Sequence, residues 1–341
     1  MFVFSPVTRA LPPHHAPGGR FRNPWPDAVP ARLGGLLKWL LVHRPTRGRP
    51  PRPHPSVFPR RAPAFTSGRA ARDDLTLTWV GHSTFLIQIG GLNLLTDPMW
   101  SERAFPVQWL GPRRVVPPAV ALHALPPIDA VLLSHNHYDH LDAATVRLLG
   151  HRHPDARWLA PLGLASVLTR LGVRRVLELD WWEESRLGDV AVGCTPAQHF
   201  SARALGDRNR TLWCGWSVAA PARRVFFAGD TGFHPEFAAI GDRFGPFHAA
   251  LLPVGAYEPR WFMRPVHMNP EEAVRAFREL HASRPLLPGK PAVMVPMHWG
   301  TFWLTDEPME EPPRRAADAW RAAGLDPGAL WVLAHGETRR L

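Results

Sequence analysis

Three of the chain's histidines fall within one short stretch that also carries two aspartates. In "LLSHNHYDHLD", residues 132–142, His135 and His137 lie two positions apart, with Asp139 and His140 directly beyond them. Imidazole nitrogen and carboxylate oxygen are ligands that zinc accepts, and the two cysteines form no C-x-x-C motif. The stretch offers more donors than one tetrahedral ion needs, which indicates two ions. A surface histidine loop without metal is the ordinary alternative, and the ordered H-x-H-x-D-H spacing disfavours it.

The motif "HNHYDH" resembles the signature of the metallo-β-lactamase fold hydrolases. That resemblance predicts further ligands at strand ends downstream, and three occur in order. "TPAQHF" supplies His199, "FFAGDTGF" supplies Asp230 and "VPMHWGTF" supplies His298. Because each follows an apolar stretch typical of a buried strand, we expect all of them at one rim of a β-sandwich.

The resemblance also implies how the donors share two zinc ions per chain. One ion would be held by three imidazoles, the other by two imidazoles and a carboxylate, and one carboxylate would bridge them. The implied sets are His135, His137 and His199 for the first ion, Asp139, His140 and His298 for the second, and Asp230 as the bridge.

A closer resemblance is to the N-acyl-phosphatidylethanolamine-hydrolysing phospholipase D branch. It rests on "RFRNPWP", "WVGHSTFLIQIGGLNLLTDPMWSERAFP", "GPRRVVPP", "RFGPF", "GAYEPRWFM" and "NPEEAV" together with the metal motifs. This resemblance covers residues 20–27 and nearly everything from 75 to 341, whereas residues 45–73 show no resemblance to the branch. The branch implies release of an N-acylethanolamine and phosphatidic acid, with Tyr138 and His267 lining the substrate site. A packing role for Tyr138 and an exposed His267 are the ordinary alternatives.

The chemistry expected of such a centre is phosphodiester hydrolysis. Two zinc ions roughly 3.5–4 Å apart lower the pKa of a shared water to about 7 and neutralise phosphoryl oxygens. Asp139, Asp230 and His267 are the candidate catalytic residues. Ligand imidazoles need outer partners, for which His82 in "VGHST" and Asp97 in "LLTDP" are candidates. Ordinary turn chemistry is an equal alternative for these two, since Asp-Pro commonly begins a turn.

The elements that must position these residues alternate along the chain. "IDAVLLS" is a continuous apolar run typical of a strand covered on both faces, and "GG" at 90–91 indicates a hairpin turn. Asp142 and Asn269 are predicted to cap helices. "ALWVLAHGE" is predicted to be the last strand. The pattern from about residue 74 to 341 indicates an α/β fold in which two sheets pack face to face with helices on their outer faces. The resemblance implies that the sheets are mixed and form an αββα sandwich.

The net positive charge of the chain comes from its N-terminal segment. Residues 1–70 hold twelve Arg and Lys against Asp27, which accounts for the whole net charge of +11, and fourteen of the 39 prolines. We therefore expect residues 1–73 to be largely extended or disordered, with a short helix near 31–44. That helix either docks on the catalytic domain, residues 74–341, or lies on an anionic membrane surface.

Composition excludes several classes and leaves others open. Two cysteines rule out a disulfide framework, and no apolar run reaches the roughly 20 residues of a membrane span, so a cytoplasmic or peripherally membrane-associated protein is expected.

Lactonase-type hydrolysis of a sugar phosphate and a nuclease or nucleic-acid-binding role are the competing functions. The neutral domain disfavours nucleic acid, and a homodimer stays open. His14 and His15 lack ligand-like partners in the sequence, and "LDWWEES", 179–185, is expected at an edge strand or interface.

Overall fold

Two β-sheets pack face to face around the apolar core of the chain. The structure is a computed structural model that describes residues 11–26, 28–30, 33–204, 206–284 and 292–341. The strands are β1 (His15–Ala16), β2 (Arg20–Phe21), β3 (Leu75–Gly81), β4 (Thr84–Ile89), β5 (Leu92–Thr96), β6 (Ala130–Leu132), β7 (Arg157–Pro161), β8 (Val176–Leu179), β9 (Glu184–Leu187), β10 (Val190–Thr195), β11 (Gly215–Ala219), β12 (Arg224–Phe227), β13 (Ala249–Pro253), β14 (Val293–Met297) and β15 (Thr338–Arg340).

Helices surround the sheets and include two short ones in the N-terminal segment. They are α1 (Leu33–Lys38), α2 (Arg44–Arg47), α3 (Ala143–Arg152), α4 (Ala165–Arg170), α5 (Phe237–Phe244), α6 (Arg260–Met263), α7 (Pro270–Leu280) and α8 (Glu311–Ala322). A π-helical turn, Trp39–His43, joins α1 to α2. Across the described residues, no helix combines the length and apolarity needed to cross a membrane.

Both sheets are mixed. The larger has the order β15-β3-β4-β5-β6-β7-β8, antiparallel from β15 to β5 and parallel from β5 to β8. The smaller has the order β14-β13-β12-β11-β10-β9, with β12, β13 and β14 parallel. The predicted αββα sandwich is confirmed. "LDWWEES" joins β8 to β9, which are edge strands of the two sheets, as expected.

The continuous apolar runs arise because both faces of the larger sheet are covered. In β4, Phe85 and Ile87 point into the core between the sheets, whereas Leu86 belongs to a second apolar cluster that includes Val146 of α3 and Leu168 of α4. Since neither face meets water, no polar alternation is required along these strands.

Helix caps hold the segments that follow the site. The Asp142 carboxylate accepts the backbone N–H of Ala144, and Asn269 with Glu272 forms a reciprocal capping box at the start of α7. Both predicted caps are confirmed.

The predicted last strand is wrong. The "ALWVLAHGE" stretch forms no named strand, and β15 lies just beyond it. Its backbone N–H groups donate in turn to different neighbours, from Trp331 to Met294, from His335 to Pro59 and from Gly336 to Trp79. Because no single strand lies alongside the stretch, a continuous ladder cannot form there.

The N-terminal segment lies against the domain. β1 and β2 form a small hairpin, and helical turns occupy residues 33–47, overlapping the expected helix. The remainder, from residue 48 to β3, has one 3-10 turn at Pro55–Val57 and is otherwise without helix or strand.

Candidate metal centre

Four strand ends bring the predicted donors to one rim of the sandwich. The loop with His135, His137, Asp139 and His140 follows β6, and the other three donors follow β10, β12 and β14. The donors of these four segments form overlapping groups in which all candidate ligand atoms lie within 4.8 Å of one another. The structure therefore brings together all seven residues that the sequence indicated.

The first group consists of imidazoles alone. His135 Nε2 lies 2.8 Å from His137 Nδ1, and His199 Nε2 lies 3.1 Å from the same atom. Burial is the main influence on these rings, and the neighbouring His199 adds to it, so that the pKa of His137 falls to about 3. Burial likewise lowers the pKa of His199 to about 4. Neutral imidazoles with free lone pairs are the form that binds a metal ion.

The second group gathers around two carboxylates. Asp230 Oδ2 lies 3.1 Å from His140 Nε2 and 3.1 Å from His298 Nε2, while Asp139 Oδ2 lies 3.5 and 3.6 Å from the same two nitrogens. Burial opposes a charge on His298, but the Asp230 and Asp139 carboxylates together outweigh burial and raise the pKa of His298 to about 9. This half of the centre is thus rich in negative charge, as a cation requires.

Asp230 lies between the two groups. Its Oδ2 is also 4.0 Å from His199 Nε2, which belongs to the imidazole group. Several buried atoms of the cluster have no hydrogen-bond partner among the described residues: Asp230 Oδ1, His140 Nε2, His298 Nε2 and His267 Nδ1. Buried polar atoms are rarely left unpaired, so atoms of metal-ligating type in this state fit a bound cation.

Asp97 holds the ligand loop from behind. Its Oδ2 lies 2.7 Å from His140 Nδ1 and accepts the Ser134 hydroxyl at 2.6 Å, while Oδ1 accepts the Ser134 backbone N–H at 2.7 Å. Burial raises the pKa of the Asp97 carboxyl, and the adjacent His140 limits that rise. A carboxylate bonded to the far nitrogen of a ligand imidazole fixes that ring's tautomer and orientation.

His82 approaches the carboxylate half of the centre. Its Nε2 lies 3.0 Å from Asp139 Oδ2, and burial, aided by His298, lowers the pKa of His82 to about 3, so the neutral ring donates to that carboxylate. His82, Asp97 and His298 all have positive φ angles, of 56°, 32° and 61°. Such angles are uncommon outside glycine and gather at functional sites.

The two expected substrate residues differ in their surroundings. His267 Nδ1 lies 3.9 Å from Asp230 Oδ2, and the ring lies among the donors, 5.2 Å from His199 and 5.3 Å from His298. The Tyr138 hydroxyl instead donates to the Arg203 carbonyl at 2.6 Å, and the Arg203 guanidinium covers its ring. Tyr138 therefore packs against the loop that follows His199.

One supporting residue was not assigned from the sequence. Asn23 Oδ1 accepts the backbone N–H of His199 at 3.2 Å and the indole N–H of Trp213 at 3.1 Å, and its Nδ2 donates to the His199 carbonyl at 2.9 Å. The far nitrogen of His199 lies 2.9 Å from the Val266 carbonyl. The only signal for Asn23 was its place in "RFRNPWP", an isolated family-like stretch within the proline- and arginine-rich segment.

The chain is similar to known proteins over most of its length. A family described as "Beta-lactamase superfamily domain" matches residues 92–299. An uncharacterized protein of Mycobacterium tuberculosis is 44% identical over 283 residues, 82% of this chain and 72% of that protein. The N-acyl-phosphatidylethanolamine-hydrolyzing phospholipase D 1 of Caenorhabditis elegans is 41% identical over 238 residues, 67% of this chain and 64% of that protein.

A solved structure supports the fold. Igni18, a metallo hydrolase from Ignicoccus hospitalis, superimposes with a TM-score of 0.59 at 24% identity, covering 79% of this chain and 98% of that chain. At that identity the likeness concerns the architecture alone.

Proposed function

Because this chain belongs to the beta-lactamase superfamily and is a metal-dependent hydrolase, we propose that it is a dinuclear zinc phosphodiesterase of the phospholipase D type. It would hydrolyse N-acyl-phosphatidylethanolamine or a related glycerophosphodiester to an N-acylethanolamine and phosphatidic acid. One observation carries the proposal: two groups of donors meet at Asp230. Its Oδ2 lies 3.1 Å from His140 Nε2 and His298 Nε2 in one group and 4.0 Å from His199 Nε2 in the other. A shared carboxylate between two donor groups supports two adjacent cations.

The donor set fits zinc. All seven donors are imidazole or carboxylate, and the two free cysteines, Cys194 and Cys214, are buried in the apolar core between the sheets. Nitrogen and oxygen ligands in this ratio suit borderline divalent ions. The substrate class is supported by the name of the Caenorhabditis elegans relative.

The chain's own residues define three roles in hydrolysis. Zinc held by the donors would activate water and neutralise the oxygens of the phosphodiester. Asp139, fixed by the His82 N–H, keeps a carboxylate at the edge of the centre with 16% of its side chain exposed, where it can accept a proton from the attacking water. Burial keeps the pKa of His267 well below its ordinary value, so the neutral ring can donate an N–H to a substrate oxygen.

We also propose that the segment around residues 31–44 docks on an anionic membrane surface. Apolar side chains there are substantially exposed, up to 70% for Leu41. The exposed apolar set is Leu37, Leu40, Leu41, Val42 and the neighbouring Trp261. Lys38 lies over the Trp261 ring, and Arg47 ends α2, so positive charge borders the apolar surface. Apolar area with adjacent basic residues is the combination that binds anionic lipid.

This surface adjoins the candidate centre. Trp39 packs in one cluster with Met263 and Val266, against which Phe200 also lies. Val266 bonds His199 and directly precedes His267. A membrane bound to this surface would therefore lie beside the rim where a lipid headgroup must enter.

The proposed reaction is tested by a substrate panel. N-acyl-phosphatidylethanolamine, a simple aryl phosphodiester, a sugar-phosphate lactone and RNA are offered to the zinc-loaded protein and to Asp230→Asn. We expect phosphatidic acid and N-acylethanolamine from the first substrate only with the unaltered protein. Asp318→Asn, an exposed carboxylate on α8, is the matched control and should remain active. Turnover by Asp230→Asn, or hydrolysis of the lactone or RNA alone, would contradict the proposal.

Membrane docking is tested separately by sedimentation with vesicles. We expect binding to vesicles that contain phosphatidylserine, weakening as salt rises because exposed charges are screened over about 8 Å at physiological ionic strength. Leu41→Glu should weaken binding, whereas Leu148→Glu on α3, also well exposed, should not. Equal binding by the two variants would show that this surface is not the contact.

A further inference from the structure

A second group of metal-type donors lies where the β1–β2 hairpin meets the domain. His14 Nε2 lies 2.6 Å from Asp180 Oδ1, and His15 Nε2 lies 2.8 Å from Asp180 Oδ2. The three donor atoms all lie within 4.8 Å of one another. Two adjacent histidines thus present the same nitrogen to one carboxylate that is more than 160 residues away in the sequence.

The two imidazoles are arranged as they are in the candidate centre. The rings of His14 and His15 have their centroids 4.7 Å apart at an interplanar angle of 70°. The corresponding values are 4.5 Å and 83° for His135 with His137, and 4.7 Å and 77° for His135 with His199. Both Nε2 atoms lie within 2.8 Å of the same carboxylate, so the two rings bring their nitrogens to one place, which is what a shared cation requires.

Neighbouring groups fix each donor in this orientation. The His14 ring stacks on Trp181 at 4.2 Å, and the His15 ring meets Phe21 edge-on at 5.1 Å. The backbone N–H of Trp181 donates to Asp180 Oδ1 at 2.8 Å. His14 is buried and the other two side chains are about one-fifth exposed or less, so the donors are held in place while an ion can still enter. Donors held in advance lower the cost of ordering them around an ion.

We infer that His14, His15 and Asp180 form a further zinc site, outside the candidate metal centre. Two neutral imidazoles and a carboxylate are a set that zinc accepts, with each ring binding through Nε2 and keeping its proton on Nδ1. Three protein ligands leave one tetrahedral position for water. We therefore expect the ion to exchange more readily than ions in the larger centre.

The site would fasten the N-terminal segment to both sheets. Asp180 lies directly after β8, in the turn that leads to β9, and these are edge strands of the two sheets. A few residues beyond the hairpin, Asn23 bonds the backbone of His199 on both sides. Zinc at the hairpin would thus stabilise the segment that positions one of the predicted metal ligands. The site does not depend on which substrate the protein hydrolyses.

The test is the zinc content of the full-length protein, measured after equilibration with excess zinc and gel filtration. The unaltered chain should hold about one ion more than His15→Gln, whatever the larger centre holds. Glutamine can still hydrogen-bond to Asp180 but is a poor zinc ligand, so the variant separates a metal site from a hydrogen-bonded pair. His54→Gln, at an exposed histidine of the same segment, is the matched control and should keep the full content.

A second measurement uses the melting temperature during zinc titration. Zinc beyond what the larger centre takes up should raise the melting temperature of the unaltered protein and of His54→Gln, but not of His15→Gln or Asp180→Asn, because binding to the folded state alone stabilises it. Equal zinc content in the unaltered protein and His15→Gln overturns the inference and leaves only an ion-paired contact. A fall in zinc content with unchanged phosphodiesterase activity supports it, since the two sites are then separate.

Discussion

The N-terminal segment and the domain that follows it are held in place by different interactions. The domain is stabilised by apolar side chains between two sheets. The segment contributes a few isolated apolar anchors, Phe21, Trp39 and Phe58, and is otherwise attached by polar contacts. Arg44 Nε donates to Asp306 Oδ1 at 2.8 Å. The Arg49 guanidinium donates to the carbonyls of Trp303 and Thr305 at 2.8 and 3.0 Å. A segment too rich in proline and arginine to build its own core can therefore still be ordered by carbonyls and carboxylates of its neighbour.

These polar contacts account for part of the chain's net positive charge. Burial, together with the nearby Arg44, lowers the pKa of Arg49 to about 10, which still leaves it charged at neutral pH. Arg20 and Arg52 likewise donate to the carbonyls of Arg208 and Arg114. Several of the cations behind the net charge of +11 are therefore used within the molecule, so they require no nucleic-acid partner.

The largest expected effect separates the domain's histidines from those of the segment. His137→Ala removes the ring whose Nδ1 lies within 3.1 Å of two other ligand imidazoles, and it should abolish turnover and lower the zinc content. His54→Ala removes an exposed ring that is hydrogen-bonded to Ser56 in its own turn, and it should leave both unchanged. Full activity in His137→Ala would remove the basis for a metal centre in the domain.

A smaller effect is expected one step outside the donors. Asp97→Asn keeps the shape of the side chain but loses the charge that holds His140 Nδ1 at 2.7 Å. Loss of such an outer partner typically costs about 10- to 100-fold in metal affinity or activity. Zinc affinity measured by competition with a chelator checks this, with Asp326→Asn, on an exposed turn, as the control. An affinity unchanged from that of the control would assign Asp97 to ordinary turn structure.

The donors in "HNHYDH" were accessible from the sequence because their signal is local, and the family resemblance then located the three downstream donors. Each lies just after an apolar run, and parallel strands that end at one rim bring such residues together whatever their separation in the chain. The same reasoning anticipated two sheets packed face to face. It failed at residues 329–337, where an apolar stretch resembles a strand but has no continuous strand beside it.

The contacts of the segment were not accessible because they join distant residues of unremarkable type. Asn23 touches His199 across 176 positions, and His14 meets Asp180 across 166. Nothing in the spacing of an asparagine or a histidine pair indicates such partners. Hydrophobic periodicity, the main signal for packing, is missing from a segment whose buried apolar residues, Phe21, Trp39 and Phe58, stand far apart in the sequence.

An intermediate effect should arise where the segment supports the domain. Asn23→Ala removes hydrogen bonds to both the N–H and the carbonyl of His199 and leaves buried groups unpaired. We expect a loss of about 1–3 kcal/mol in the free energy of unfolding, with a fall in activity smaller than that of Asp97→Asn. Urea unfolding and steady-state kinetics measure the two quantities. Arg22→Ala, whose exposed guanidinium donates to the segment's own Pro13 carbonyl, is the control.

The smallest effect should concern stability alone, at the other point of attachment. The buried Asp306 carboxylate accepts the Trp39 indole N–H and pairs with Arg44, far along the segment from Asn23. Asp306→Ala leaves these donors without their partner, so we expect the free energy of unfolding to fall by about 1–3 kcal/mol. Asp318→Ala, on the exposed face of α8, should change it by no more than about 0.5 kcal/mol. Because Asp306 contacts none of the metal donors, the zinc affinity of the folded protein should stay the same. If the free energy of unfolding falls as little in Asp306→Ala as in Asp318→Ala, the segment is only loosely attached. A clear fall confined to Asp306→Ala shows that the segment and the apolar core of the domain unfold as one unit.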